Sequence, residues 1–179
     1  MTTPINPPIS MDDVAAELRV PADSALELGD PNCKRLAGIN RTVQTVSLSD
    51  LQGKTRPYWA SVSTRRTGGL YTFIGYNKAS GEGWLLPSTD PYLGSVEITF
   101  IGGYIDSPQN ETTLNFASDP GFRNNLKIQV IDTATWSVLR EVVLSYYPGS
   151  GQWRSAQSAD NTYNIWTTEG IYELTILKL

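Results

Sequence analysis

Every large ring in this 179-residue chain lies after residue 55. Five Trp, nine Tyr and four Phe fall in the later part, and none falls in the leading segment. Aromatic side chains bury ~150–250 Å² each and dominate the building of a core. Residues 1–55 therefore hold little to build one from. They are expected to be short elements lying against something else: the rest of the chain, a sister copy or a different protein. Residues 56–179 hold the packing material and are expected to form the folded domain.

The leading segment carries three helix starts, each written in local chemistry. Ser10 with Asp13 three residues on is a capping box in which Asp stands for Glu. The run Met11–Leu18 then places Val14 and Leu18 on one face, and Pro21 stops it. Asp30-Pro31 starts a second helix with a cap and a proline at its first position, and Gly38 ends it. Ser47-Leu48-Ser49-Asp50 repeats the capping arrangement and ends near Gly53. Ile9-Ser-Met-Asp-Asp-Val14 and Val46-Ser-Leu-Ser-Asp-Leu51 echo each other, an echo that the caps alone are enough to demand. Helices this short fall below the ~12–15 residues that are marginal alone in water, so they need a docking surface.

The later part reads as strands. Tyr58–Thr64, Leu70–Tyr76, Val96–Ile101, Thr112–Ala117, Leu126–Ile131, Ser137–Tyr146, Tyr163–Trp166 and Ile171–Lys178 are β-branched and aromatic runs. Turn formers part them, among them Gly68-Gly69, Gly102-Gly103 and Pro148-Gly149-Ser150-Gly151. Leu126, Ile128 and Val130 alternate with Lys127 and Gln129. About eight short strands with frequent turns predict a mainly β chain: an antiparallel β-sandwich, jelly-roll or immunoglobulin-like, preceded by a short-helix N-terminal segment.

Composition narrows the chemistry. The chain has no histidine, which removes the Ser-His-Asp triad, imidazole proton shuttles and every zinc site that needs a His. A single cysteine, Cys33, leaves no intrachain disulfide and no Cys-cluster metal site, and reads as a small apolar filler. With a net charge of −4 and no strongly basic stretch, nucleic acid is not an expected partner. No targeting or spanning segment is read, so the chain is expected to be made in a cytosol and to work there or on an assembly built there. Asp90, Asp106, Glu111, Asp119 and Asp160 are loop carboxylates with no spacing that marks a catalytic pair. The run Asp106–Glu111 lacks the ordered alternation of a calcium loop. Arg65-Arg66 before Thr67-Gly68-Gly69 reads as a charged hairpin tip. Asn40-Arg-Thr42 and Asn110-Glu-Thr112 match the glycosylation pattern by chance. Trp59 and Trp136 sit in strand patterns and read as structural. Trp84, Tyr92, Tyr146, Tyr147 and Trp153 lie next to turn formers; they are either sheet packing or ring faces offered to a sugar.

Three blocks of the leading segment occur in a telling order: Ile9-Ser-Met-Asp-Asp-Val-Ala-Ala-Glu-Leu18, Leu26-Glu-Leu-Gly-Asp-Pro-Asn-Cys-Lys-Arg-Leu-Ala-Gly38 and Val46-Ser-Leu-Ser-Asp-Leu-Gln-Gly-Lys-Thr55. Residues 9–55 resemble a segment of small tail-associated virion proteins of tailed bacteriophages. That family usually has Gly soon after Glu-Leu, where this chain has Arg19-Val20-Pro21, and often has an aromatic at the place of Gln52. The resemblance implies a non-enzymatic structural virion protein, made in the host cytoplasm and placed in the tail: a tip, collar or fibre-associated adaptor. Residues 1–55 would anchor it to other tail proteins, with several copies around the tail axis. The docking side chains would be Ile9, Met11, Val14, Leu18, Leu26, Leu28, Leu36, Ile39, Leu48 and Leu51. The alternative is a host-surface receptor-binding module that recognises a glycan. No catalytic, cofactor-binding or metal-ligating residue is assigned, and no membrane insertion is expected.

Overall fold

The computed structural model describes residues 3, 9–21, 24–38, 45–86 and 93–179. Two compact units are present. One comprises residues 1–57 together with 132–137; the other comprises 58–131 and 138–179.

The first unit holds three helices: α1 (Met11–Leu18), α2 (Pro31–Ala37) and α3 (Leu48–Leu51). Each begins where its cap dictates. The Asp13 backbone N–H donates to Ser10 Oγ (3.2 Å), while the Ser10 N–H donates back to Asp13 Oδ2 (2.8 Å). The Ser10 N–H and hydroxyl, both donating to it, hold the Asp13 carboxyl below the usual carboxylate range. At α2, Asn32 N–H donates to Asp30 Oδ1 (2.7 Å), Pro31 takes the first position, and Gly38 closes the end at φ 72°. Ser47 N–H donates to Asp50 Oδ2 (2.8 Å) at α3. Longer bonds tie the pieces together. Lys54 N–H donates to Thr3 Oγ1 (2.8 Å), the Thr3 hydroxyl bonds the Leu51 carbonyl, and Arg56 N–H donates to Glu17 Oε1 (2.6 Å). The residues 132–137 bring Trp136 into this unit, where the Arg35 guanidinium lies 5.3 Å from the ring centroid. A segment with no ring of its own thus packs with one from far along the chain. Trp136 is in a turn with φ 56°, not in the strand its sequence neighbours suggest.

The second unit is a barrel. Its strands are β1 (Tyr58–Thr67), β2 (Phe73–Asn77), β3 (Trp84–Leu86), β4 (Ile98–Tyr104), β5 (Thr112–Phe116), β6 (Leu126–Ile131), β7 (Val138–Tyr147), β8 (Gln152–Arg154) and β9 (Gly170–Lys178). The hydrogen-bonded order runs β2-β4-β5-β8-β7-β6-β9-β1, and β1 pairs again with β2, so eight antiparallel strands close on themselves. β3 is an extra strand on β1. This corrects the expected sandwich: a chain that is mainly β with little helix closes into a barrel and leaves no open pair of sheets.

The closure has a definite cause. β1 and β7 are the longest strands, ten residues each. Residues 58–64 of β1 pair with β9, and Arg65, Arg66 and Thr67 pair with Gly75, Ile74 and Phe73 of β2. Likewise β7 pairs with β6 up to Leu144, then its Ser145, Tyr146 and Tyr147 pair with β8. Each long strand therefore leaves one neighbour and takes another partway along. The sequence reading ended β1 at Thr64 and gave Arg65-Arg66-Thr67 to a hairpin tip, so it cut off the residues that close the ring. Tyr163–Trp166 is irregular, while the short β3 and β8 went unread. Gly102-Gly103, read as a turn, lies inside β4.

Those glycines have a structural task. Gly75 of β2 and Gly102 of β4 are register partners at φ 153° and 159°. A Cβ on Gly75 would sit 2.3 Å from the Ile101 carbonyl oxygen and 2.7 Å from the Gly102 Cα. The two backbones approach where only glycine fits, a device that bends a barrel wall. The interior is filled by alternate residues: Ala60 and Val62, Leu126 and Ile128, Val142 and Leu144, Leu174 and Ile176. Trp153 is fully buried among Phe116, Phe122 and Tyr146, its Nε1 donating to the Asn124 carbonyl (2.9 Å).

Because the atoms that crowd Gly75 are backbone, no side chain can step aside. Gly75→Ala is expected to cost more than about 2 kcal/mol, read as a lower urea midpoint with an unchanged slope. Gly149→Ala, where a Cβ meets nothing within 4 Å, is expected to leave the midpoint in place.

Candidate functional site

An exposed aromatic surface of the barrel lies on the outer face of β2 and β4. Ile74 and Tyr76 point into the core, so Phe73, Gly75 and Asn77 face outward by alternation. Across the ladder Phe73 pairs with Tyr104, Gly75 with Gly102 and Asn77 with Phe100. Two bare glycines thus sit between large side chains. The Phe73 ring folds over them: its atoms come within 3.0 Å of where a Cβ on either glycine would be. Phe73 then packs against Phe100 (5.2 Å between centroids) and Tyr104 (6.0 Å), and Tyr104 meets Tyr71 edge-on (6.3 Å). Phe73 is buried, whereas Tyr71 is 38% and Tyr104 48% exposed. The rings flank a groove of about 410 Å³, walled by the 67–71 turn on one side and by Asn77, Ser80 and Glu82 on the other.

Polar order is set at that far wall. Ser80 Oγ donates to Glu82 Oε2 (2.8 Å), and Asn77 Oδ1 accepts from Ala79 N–H (3.1 Å), which leaves Nδ2 as the donor that side chain can offer. Glu82 is the charged side chain among the described lining residues. Of the nearby cations, Lys78 pairs with Glu97 and Arg66 reaches Asp106 at 3.9 Å, while Arg65, the register partner of Gly75, stands on the same outer face as the groove.

Two other depressions are held differently. A groove of about 460 Å³ runs past Tyr147, Arg154 and Glu111. Its groups satisfy one another: Arg154 sits 3.7 Å from Glu111 and 5.2 Å from the Tyr147 ring centroid, and Gln157 Nε2 donates to Glu111 Oε2 (3.0 Å). A smaller one, about 220 Å³, lies over Trp153 beside Asp119 and Arg123. Arg123 bonds both Asp119 oxygens (2.8 and 2.7 Å) and lies over Tyr146 at 4.4 Å. That guanidinium, with the Gly121 N–H, holds the Asp119 carboxyl far below its ordinary value.

The sugar-facing candidates scatter. Tyr147 is 57% and Trp84 40% exposed, Tyr146 is half-buried, and Trp153 is wholly buried and so offers no face to a ligand. Tyr92 lies outside the described residues. None of the four described ones lines the β2–β4 groove. Of the groove's rings, Tyr71, Phe73 and Phe100 were read as strand residues, and Tyr104 fell beyond the strand read as Val96–Ile101. The signal that marks them is period two: Phe73 two residues after Tyr71, and Phe100, Gly102 and Tyr104 alternating along β4.

The docking candidates divide as well. Ile9, Val14, Leu18, Leu36 and Leu51 are buried within the chain, and Met11, Leu26, Leu28 and Leu48 are half-buried. Ile39 lies outside the described residues. The four described loop carboxylates each have a separate partner: Asp106 with Arg66, Glu111 with Arg154, Asp119 with Arg123, and Asp160 with the Thr162 hydroxyl (2.6 Å). The Thr162 and Ser158 hydroxyls take the Asp160 carboxyl down to about 2. Asp90 lies outside the described residues. Among the described residues no cluster of three or more His, Cys, Asp or Glu is placed to hold a metal ion. Asn110 is buried and clamps its loop, accepting from Ser107 N–H (2.9 Å), which does not suit a glycosylation acceptor.

Against family models, curated proteins and solved structures, the chain finds no match.

Cys33 is buried, and burial, aided by the Asp30 carboxylate, pushes its thiol up to about 11. The folded state therefore holds this proton more tightly than the unfolded chain, where a thiol titrates near ~8.5. Its contribution to stability is full below ~8.5 and is lost as pH rises toward 11. A disulfide reagent at pH 8 is expected to label Cys33 slowly in the native protein and with one equivalent at once in denaturant; fast native labelling would contradict the burial.

Proposed function

We infer that the chain is a structural, non-enzymatic protein of a tailed-phage virion, seated in the tail and joined to neighbouring virion proteins through its N-terminal unit. The observation that supports this reading is the order of the three resembling blocks. Each carries one capped helix, α1, α2 and α3 in turn, and all three fall in one compact unit. Five of the apolar residues assigned to docking are already buried. The surface left for a neighbour is carried by the half-buried Met11, Leu26, Leu28 and Leu48. An interface of the usual ~800 Å² per partner would complete their burial. Several copies around the tail axis follow from the symmetry that virion parts share.

The test is incorporation. Particles assembled with the native chain are expected to carry it in their tails, detected by mass spectrometry of purified tails. Joint Leu28→Asp and Leu48→Asp changes place charge on the half-buried surface. They are expected to leave the barrel's thermal transition intact and to lower incorporation by about tenfold or more, the loss of roughly 1.4 kcal/mol or more of binding. Tails that lack the native chain, or that take up the double variant in full, would overturn the assignment.

A further inference from the structure

We propose that the groove on the outer face of β2 and β4 is a binding site for oligosaccharides, with Tyr71 and Tyr104 as stacking platforms and Asn77, Ser80 and Glu82 as hydroxyl partners. The proposal stands on the barrel alone and does not need the virion reading.

Two observations converge on a sugar. The first is the exposed ring surface. Tyr71 and Tyr104 keep much of their area in solvent, beside the exposed Leu70, although Phe73 directly next to them is buried. An aromatic face carries negative quadrupole, and the C–H groups on the apolar side of a pyranose carry a small positive charge. The two surfaces match in polarity and in flatness.

The second is the opposite wall. A sugar stacked on the tyrosines turns its ring-edge hydroxyls outward, where each needs a donor or acceptor. Asn77 supplies an amide N–H, Glu82 supplies carboxylate oxygens that accept from hydroxyls, and the Ser80 hydroxyl is already aligned on Glu82. At about 410 Å³ the groove falls in the ~300–1,000 Å³ range of ligand pockets.

The experiment is saturation-transfer NMR on the full chain with lactose, N,N′-diacetylchitobiose and maltotriose as probes. At least one probe is expected to bind with a dissociation constant at or below about 10 mM, with the strongest transfer to ring C–H protons. Tyr104→Ala and Tyr71→Ala are each expected to weaken that binding by about tenfold, and Tyr147→Ala to leave it unchanged. Tyr71 lies on the turn outside the strands, so its variant carries the test should Tyr104→Ala fail to fold. The site assignment is overturned if none of the probes binds in that range or if binding survives both tyrosine changes. It is also overturned if Tyr104→Ala dissociates a dimer while sugar binding stays as it was.

Discussion

The barrel rests on two strands that change partners. A sheet of antiparallel strands ends in two edges of unpaired N–H and C=O groups, and these either meet or must be covered. Here they meet, because β1 and β7 run on past their first neighbours. The last three residues of β1, Arg65 to Thr67, carry the bonds to β2 that join one end of the order to the other. Two further features bend the wall: the Gly75–Gly102 contact between β2 and β4, and register shifts at Ile98/Phe100 and Val130/Ile131. The groove follows from the same geometry. Two glycines at one register point remove side chains from the outer face, Phe73 lies down over the bare backbone, and the tyrosines beside it stand open.

What the sequence made legible was local. Helix starts at Ser10, Asp30 and Ser47 are decided by side chains two or three residues away from the groups they cap, so they can be read one window at a time. β6 has its sequence-read bounds, and β5, β7 and β9 lie within a residue of theirs, since alternation is also a short-range signal. Closure is not. Whether Arg65 and Arg66 belong to a strand depends on β2 being at hand to pair with them, and two adjacent arginines before Thr-Gly-Gly look the same either way. For the same reason Gly102 of β4 passed for a turn former, while its partner Gly75 passed for an ordinary strand residue. Their meaning lies in each other's position, which no single window contains.

The candidate site shows a related limit. Rings beside turn formers were taken as exposed, and for Tyr147 and Trp84 they are. Trp153 fails that rule because its strand is only three residues long, flanked by glycine and serine, yet its ring is the centre of an aromatic cluster. Tyr71 lay in a run that read as strand, and Tyr104 just past one that was cut short at Ile101. Their exposure comes from Phe73 taking up the space over the glycines, a cross-strand event.

The N-terminal unit is discontinuous in sequence: it takes in residues 1–57 and then residues 132–137, and with them its tryptophan. Genes for modular proteins exchange parts at sequence joints, and the joint near residue 57 looks like a natural crossover point. A chimaera cut there would carry the three helices away and leave behind Trp136, the ring that Arg35 lies over. Any recipient would have to offer an equivalent ring on one of its own hairpins, so heredity can shuffle this module freely only among barrels that keep that tip.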